Sequence, residues 1–342
     1  MKTCKYGTNR VIKPTGVLPQ AALKIDNTMK IYDNEILIDV ITLNIDSASF
    51  TQIKNACNKD YLDMEKMILN IVTERGKMQN PVTGSGGMLI GTVKEIGPNF
   101  PDKTLQVGDK IATLVSLSLT PLKINKINSI NMDNDQVNIE GQAILFESGI
   151  FAKVPSTMDE HLVLAALDVA GAPAQVNKLV KEGDTVAIIG AAGKSGVLCA
   201  YQAMQNAGPT GKVIGIVNEP WQINLLHELD LCHEVVLADA TNAIDLYEKV
   251  LEVNKEAVDV TINVVNVQNT EMSCILITKD TGVVYFFSMA TSFTKAALGA
   301  EGVGSDVTMI IGNGYTKGHA DLTLKLVNNV PKIKALFEKL YT

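Results

Sequence analysis

The chain has 342 residues, 46% hydrophobic and 20% charged, with 30 Lys and Arg against 37 Asp and Glu and a formal net charge of -7. That hydrophobic share excludes a disordered chain, and the acidic balance leaves no general basic field to hold a nucleic-acid backbone. No apolar run approaches the roughly 18 to 20 residues of a membrane-spanning helix, so neither nucleic acid nor membrane is expected as a partner.

At the N-terminus, Met1 to Arg10 carries charges but no apolar stretch followed by a small-residue cleavage site, and a cytoplasmic protein is expected. The first half reads as strand-rich. Glu35 to Leu43 is a β run, Ile90 to Ile96 is another closed by Gly97-Pro98, and the turn Val107-Gly108-Asp109 introduces a third at Lys110 to Val115. With no crossover helix between the last two, this half is expected to be mostly antiparallel. The five cysteines, Cys4, Cys57, Cys199, Cys232 and Cys274, form no C-x-x-C pair, and the four histidines form no H-E-x-x-H. Neither a disulfide framework nor a His-based metal site is indicated.

Near Pro155 the pattern changes to short apolar runs alternating with helical stretches. Strands are predicted at Thr185 to Ile189, Lys212 to Val217, Glu234 to Leu237, Val258 to Ile262, Gly282 to Phe287 and Val307 to Ile311. Helices are predicted at Lys194 to Asn206, Trp221 to Leu229, Ala243 to Val253, Ala320 to Asn328 and Lys332 to Leu340. Such alternation marks a parallel, doubly wound sheet. The expected division is residues 1–155, a Rossmann domain over 156–315, and a C-terminal segment, 316–342, returning to the first domain.

Between the first of these strands and its helix lies Gly190-Ala191-Ala192-Gly193-Lys194-Ser195-Gly196. A turn without side chains lets backbone N–H groups approach a pyrophosphate, and the helix N-terminus adds partial positive charge. The spacing lacks the four residues that a P-loop needs between its first Gly and the Gly-Lys pair, which disfavours ATP. About 20 residues beyond the loop, where an acidic side chain would accept from a ribose hydroxyl, stand Asn218 and Glu219 with no Arg nearby, favouring NAD over NADP. The alternative for Glu219 is a helix start before Pro220. Asn263, Val264 and Val265 follow the fourth strand, and Ser288 and Met289 follow the fifth, all placed for the nicotinamide end of a cofactor.

A strand-rich first domain followed by a Rossmann segment with this glycine loop resembles the medium-chain dehydrogenase/reductase superfamily. So do Gly91-Thr92-Val93-Lys94-Glu95-Ile96-Gly97 and Val107-Gly108-Asp109-Lys110-Ile111. The resemblance implies an α/β fold with a GroES-like catalytic domain. Where zinc-dependent members of that superfamily carry ligands, this chain reads Leu43-Asn44-Ile45-Asp46, Gly86-Gly87-Met88 and Asp168-Val169-Ala170-Gly171. A zinc-free member is implied. A narrower similarity rests on Tyr6-Gly7-Thr8-Asn9-Arg10-Val11-Ile12, Gly16-Val17-Leu18-Pro19-Gln20 and Arg75-Gly76-Lys77-Met78-Gln79-Asn80-Pro81-Val82-Thr83-Gly84-Ser85-Gly86-Gly87. These resemble the L-erythro-3,5-diaminohexanoate dehydrogenases of anaerobic lysine fermentation. The resemblance implies NAD-dependent oxidative deamination at C3 to 5-amino-3-oxohexanoate, ammonia and NADH.

That chemistry asks for a carboxylate beside the reacting nitrogen, a cation for the substrate carboxylate and an acid for the distal ammonium. Asp168, Asp46 and Asn44 are the catalytic candidates. Arg75 and Lys77 are candidates for the substrate carboxylate, Ser47 for orienting substrate, and Glu147 for the distal amine. Two other readings stay open: a zinc-free quinone or enoyl reductase using NADPH, and a protein that senses NADH without turnover. The last strand, if it ends the sheet, is expected to pair with its copy in a homodimer or a homotetramer.

Overall fold

The structure is a computed structural model and describes residues 3–288, 290–312 and 314–341. The expected cofactor residue Met289 lies outside the described residues. The chain divides into two compact units, one comprising the residues up to Asp168 together with Tyr341 and the other spanning Val169–Leu340.

In the first unit, β1 (Val11–Lys13) and β2 (Lys24–Ile25) form a small antiparallel pair. The main sheet contains β3 (Ile36–Ile45), β4 (Gly87–Ile96), β5 (Lys110–Thr113), β6 (Leu122–Asn131), β7 (Gln136–Leu145) and β8 (Phe151–Lys153). Its order is β6-β7-β3-β4-β5-β8, antiparallel at every pairing. Strand β3 is buried along most of its length because both faces are covered, with Ile36, Ile38, Val40, Leu43 and Ile45 in the main core and Leu37 in a second cluster with Ile144 and Phe146, so its near-continuous Ile, Leu and Val content replaces the alternation of a half-exposed strand.

Two helices absent from the sequence reading join β3 to β4. Helix α1 (Ser47–Ala56) is capped by the Asp46 carboxylate, which accepts from the Ser49 N–H at 3.0 Å. Helix α2 (Tyr61–Arg75) is capped by Asp60, which accepts from the Asp63 N–H at 2.9 Å. Both caps satisfy otherwise orphaned donors. Buried Met64, Ile68, Ile71 and Val72 recur at helical spacing, and with Phe50 and Ile53 they join the core of the sheet. Gly76, at φ 73, ends α2, and a Cβ there would lie 2.1 Å from the Ile25 carbonyl oxygen.

The unit closes with α3 (Glu160–Asp168), which packs on β4. That packing puts the division after Asp168 rather than at the expected 155/156.

The second unit opens with α4 (Gly171–Leu179). It then alternates β9 (Thr185–Ile189), α5 (Lys194–Ala207), β10 (Lys212–Val217), α6 (Pro220–Leu229), β11 (Glu234–Leu237), α7 (Ala243–Asn254), β12 (Val258–Asn263), α8 (Glu271–Ile277), β13 (Thr278–Phe286), α9 (Phe293–Val303) and β14 (Thr308–Ile311). The sheet order is β11-β10-β9-β12-β13-β14 and every pairing is parallel. Numbered within the unit this is 3-2-1-4-5-6, the Rossmann order, whose topological switch lies between β9 and β12. The last helices, α10 (His319–Asn329) and α11 (Pro331–Tyr341), follow. Helix α10 packs on α4, and the Thr323 hydroxyl donates to the Ala170 carbonyl at 3.4 Å. Of the expected C-terminal segment 316–342, residues up to Leu340 group with the second unit and Tyr341 groups with the first. Among the described residues no helix is long and apolar enough to cross a membrane.

Candidate functional site

The carboxyl ends of β9, β10, β11 and β12 surround a cleft of about 240 Å³ in the second unit. Its floor is the predicted glycine loop, and each glycine there has a separate physical reason. Gly190 sits at φ 85, and a Cβ on it would come within 3.1 Å of Val265. At Gly196 a Cβ would lie 2.1 Å from the Gly190 carbonyl oxygen, so only glycine lets α5 approach the turn this closely. Gly193 has ordinary backbone angles and no steric conflict inside the chain, its nearest neighbour being the Gly190 oxygen at 3.4 Å. A missing side chain there leaves room for something outside the chain. The first-turn N–H groups of α5 follow it directly, as an anion site requires.

This backbone cradle at the switch point fits the pyrophosphate of a dinucleotide. Gly190, Ala192, Gly193, Asn218, Val264 and Val265 line the cleft as expected. Ala191 is buried behind it, its N–H donating to the Ile216 carbonyl at 3.2 Å, while Lys194, Ser195 and Gly196 open α5.

Three expected cofactor residues do other work. Glu219 is the N-cap residue of α6 and does not line the cleft; the Gln222 amide oxygen accepts from both the Asn218 and Glu219 N–H groups at 3.1 Å. The alternative reading of Glu219 as a helix start is what the structure contains. Asn263 is fully buried, and its amide donates to the Thr270 hydroxyl at 2.7 Å, which shapes the turn carrying Val264 and Val265. The Ser288 hydroxyl accepts from the Ala290 N–H at 3.1 Å, closing a local turn.

Asp239, which carries no local motif signal, also lines the cleft. Its Oδ1 accepts from both the N–H and the hydroxyl of Thr241 at 2.8 Å, and these bonds hold its carboxyl below the ordinary range.

A second polar cluster forms in the first unit, at the end of β3. Asn44 is buried, and its Oδ1 accepts from the Gln136 amide at 3.5 Å. The Gln136 carbonyl oxygen in turn meets His161 Nδ1 on α3. A carbonyl oxygen only accepts, so Nδ1 is the donor in this bond. His161 and Asp168 stand at i and i+7 on α3 and therefore share a face.

Beside Asn44, the Asp46 carboxylate is split in function. Oδ1 caps α1, whereas Oδ2 is buried with no hydrogen-bond partner among the described residues. The Ser47 hydroxyl donates to Asp135 Oδ2 at 2.8 Å. The Gly86-Gly87 pair supports this cluster: Gly87, at φ 108, would place a Cβ 2.0 Å from the Asn44 carbonyl oxygen. Buried Asn80 ties the same loop to α1, donating to Gln52 Oε1 at 2.7 Å and to the Ser49 carbonyl at 3.3 Å.

Lys77 and Glu147 separate from this cluster. Lys77 is fully buried, and its ammonium donates to the Pro19 and Gln20 carbonyls at 2.6 and 3.2 Å. It locks the N-terminal loop and cannot also reach a substrate carboxylate, which corrects that expectation. Burial, with the neighbouring Arg75 charge second, pushes its pKa from 10.5 down to about 8. Glu147 accepts from the Asn34 amide at 2.8 Å and follows the end of β7 opposite to Gln136. A strand of that length spans about 30 Å, so Glu147 is not a neighbour of Asn44. Arg75 ends α2 half-buried, donating to Gln79 Oε1 at 3.1 Å. Among the described residues no group of three or more His, Cys, Asp or Glu is placed to hold a metal ion.

Comparison with known proteins puts names beside this geometry. Residues 9–155 match the model of the L-erythro-3,5-diaminohexanoate dehydrogenase N-terminal domain. The whole chain is 60% identical to an L-erythro-3,5-diaminohexanoate dehydrogenase of Acetoanaerobium sticklandii, covering 100% of both chains. It is also 60% identical to one of Fusobacterium nucleatum, covering 99% of both. Among solved structures, an alcohol dehydrogenase from Thermotoga maritima superposes with a TM-score of 0.57 at 15% identity over 91% of this chain and 85% of that one. The CurK enoyl reductase gives 0.56 at 17% identity over 90% and 87%. These two carry the same fold.

Proposed function

The chain belongs to the family of L-erythro-3,5-diaminohexanoate dehydrogenases, and from that premise we propose how its own residues carry the oxidative deamination at C3. The reaction takes the C3 ammonium group, an oxidised nicotinamide dinucleotide and water to 5-amino-3-oxohexanoate, ammonium, the reduced dinucleotide and a proton. The bound dinucleotide supplies the hydride acceptor. Everything else falls to the protein: to orient the amine, to receive its proton, and to activate the water that attacks the iminium carbon.

Asp46 carries this reading. A carboxylate oxygen buried without a donor is costly unless a ligand supplies one, and an ammonium donor matches it in charge and geometry. Asp46 Oδ2 receives the reacting ammonium and takes its proton, leaving the neutral amine that can release hydride; after passing that proton to solvent, the carboxylate stabilises the iminium charge and accepts a proton from the attacking water. The Ser49 N–H fixes the same carboxylate in place. Asn44 and Ser47 orient the substrate, and Asp168, half-buried at the end of α3, is the second acid. Arg75, with its guanidinium only partly engaged by Gln79, is the cation for the substrate carboxylate.

The dinucleotide is NAD. Asn218 stands where a 2′-phosphate would project, and no basic side chain lines the cleft among the described residues. Purified protein given L-erythro-3,5-diaminohexanoate with NAD is expected to form NADH and ammonia in equal amounts, with NADP a poor substitute. NADH without ammonia, or no turnover in the presence of bound NAD, would sink this assignment.

A further inference from the structure

We propose that Asp239, at the carboxyl end of β11, is the residue that makes the nucleotide cleft select NAD over NADP, a role that rests on the dinucleotide-binding reading above. Strands β10 and β11 run parallel with Val217 beside Leu237, and the Ala238 N–H donates to the Val217 carbonyl at 2.9 Å. Asp239 therefore stands one strand over from the Asn218-Glu219 turn, at a lateral spacing of about 4.8 Å. The turn's own acid is diverted. Glu219 caps α6, and the Gln222 side chain fixes the backbone on either side of it. Among the described residues lining the cleft, Asp239 is the one ionisable side chain, and the polar groups beside it, Asn218, Gln222, Thr241 and Asn266, are neutral.

Thr241 occupies Asp239 Oδ1 with two hydrogen bonds, which orients the carboxylate and keeps it charged at neutral pH. Oδ2 then supplies the acceptor for a ribose hydroxyl. An added phosphate brings close to two negative charges into the same few ångströms, with no cation in the lining to offset them. The cleft thus discriminates by repulsion at Asp239, while acceptance of the unphosphorylated ribose uses the same oxygen.

The test is fluorescence titration of the full chain with NADH and NADPH, for wild type, Asp239→Asn and Glu219→Gln, at low and high salt. Asparagine retains the acceptor that Thr241 bonds, so the turn is kept while the charge is removed. Wild type is expected to bind NADH more tightly than NADPH. Asp239→Asn narrows the gap on the order of tenfold, chiefly by tighter NADPH binding, and Glu219→Gln leaves it in place. In wild type the gap shrinks at high salt, a readout that needs no variant, and in Asp239→Asn the salt effect is lost. Narrowing in Glu219→Gln alone, no narrowing in either variant, or equal wild-type affinities would each overturn the proposal. Binding of neither nucleotide to wild type would overturn the dinucleotide reading along with it and is distinguishable from those outcomes.

Discussion

Asp46 shows how one side chain serves fold and chemistry through different oxygens. Its Oδ1 is a helix cap that asparagine would reproduce, whereas the unpartnered Oδ2 is useful only as a charged acceptor. Asp46→Asn is therefore expected to unfold within about 0.5 kcal/mol of wild type while losing roughly 100-fold or more in kcat, as loss of a general base does. Denaturant unfolding and steady-state NADH formation measure the two separately, and equal turnover would remove Asp46 from the chemistry. Lys77 makes the opposite case, a charged residue with a purely structural location. Its folded-state pKa of about 8 lies below its ordinary 10.5, so between those values the unfolded chain holds the extra proton and stability rises with pH. Relative to Lys77→Met, wild type should gain on the order of 3 kcal/mol as pH climbs through that window. Unfolding free energies at the two ends of the window give the difference, and a flat difference would mean that the two backbone carbonyls hold the ammonium charged throughout.

At the scale of single elements, the loop between β9 and α5 separates glycines needed by the fold from the one needed by the ligand. Gly196→Ala forces a methyl group onto the Gly190 carbonyl and should cost about 1 to 3 kcal/mol of stability. Gly193→Ala meets no such conflict at φ -77, so its stability should stay near wild type while NADH affinity falls at least roughly tenfold from blocked access to the pyrophosphate. Thermal unfolding together with NADH titration separates the two, and a Gly193→Ala protein with unchanged affinity would place the pyrophosphate elsewhere. The strands of this unit were legible because each is a short apolar run bounded by turn residues: β9, β10 and β11 begin and end where the pattern predicts. Helices α1 and α2 were legible too, through Asp46 and Asp60 at their caps and Met64, Ile68 and Ile71 on one face.

For the molecule as a whole, the two edges of the parallel sheet are unlike. The β11 edge is guarded by charge, with Lys249 donating to the Leu237 carbonyl at 3.1 Å and Lys212 pairing with Glu234 at 3.8 Å. The other edge, β14, reads Thr308-Met309-Ile310-Ile311, without a charge, and Ile311 is 65% exposed. An unguarded apolar edge is a pairing surface, and we expect β14 to meet its copy in a second chain. Light scattering should give a dimer or a multiple of it. Ile311→Lys should shift the mass toward the monomer, and an unchanged or already monomeric mass would rule out this edge as the interface.

Length, charge and apolar periodicity determined the fold class, because strand and helix periods and the spacing of glycines are properties of neighbouring residues. The glycine loop and the succession of strands are of this kind. Which acid enters the nucleotide cleft was decided only by tertiary structure. Glu219 and Asp239 both follow a strand, and it is the start of α6 that turns one into a cap while Thr241 holds the other in the cleft lining. Lys77 reads as a loop cation until Pro19 and Gln20, far earlier in the chain, are folded over it. The Asn44–Gln136–His161 chain likewise exists only because β3 pairs with β7 and α3 then packs against the same sheet. Side-chain direction and long-range pairing have no local signature, since both are set by which elements bury their apolar faces against one another.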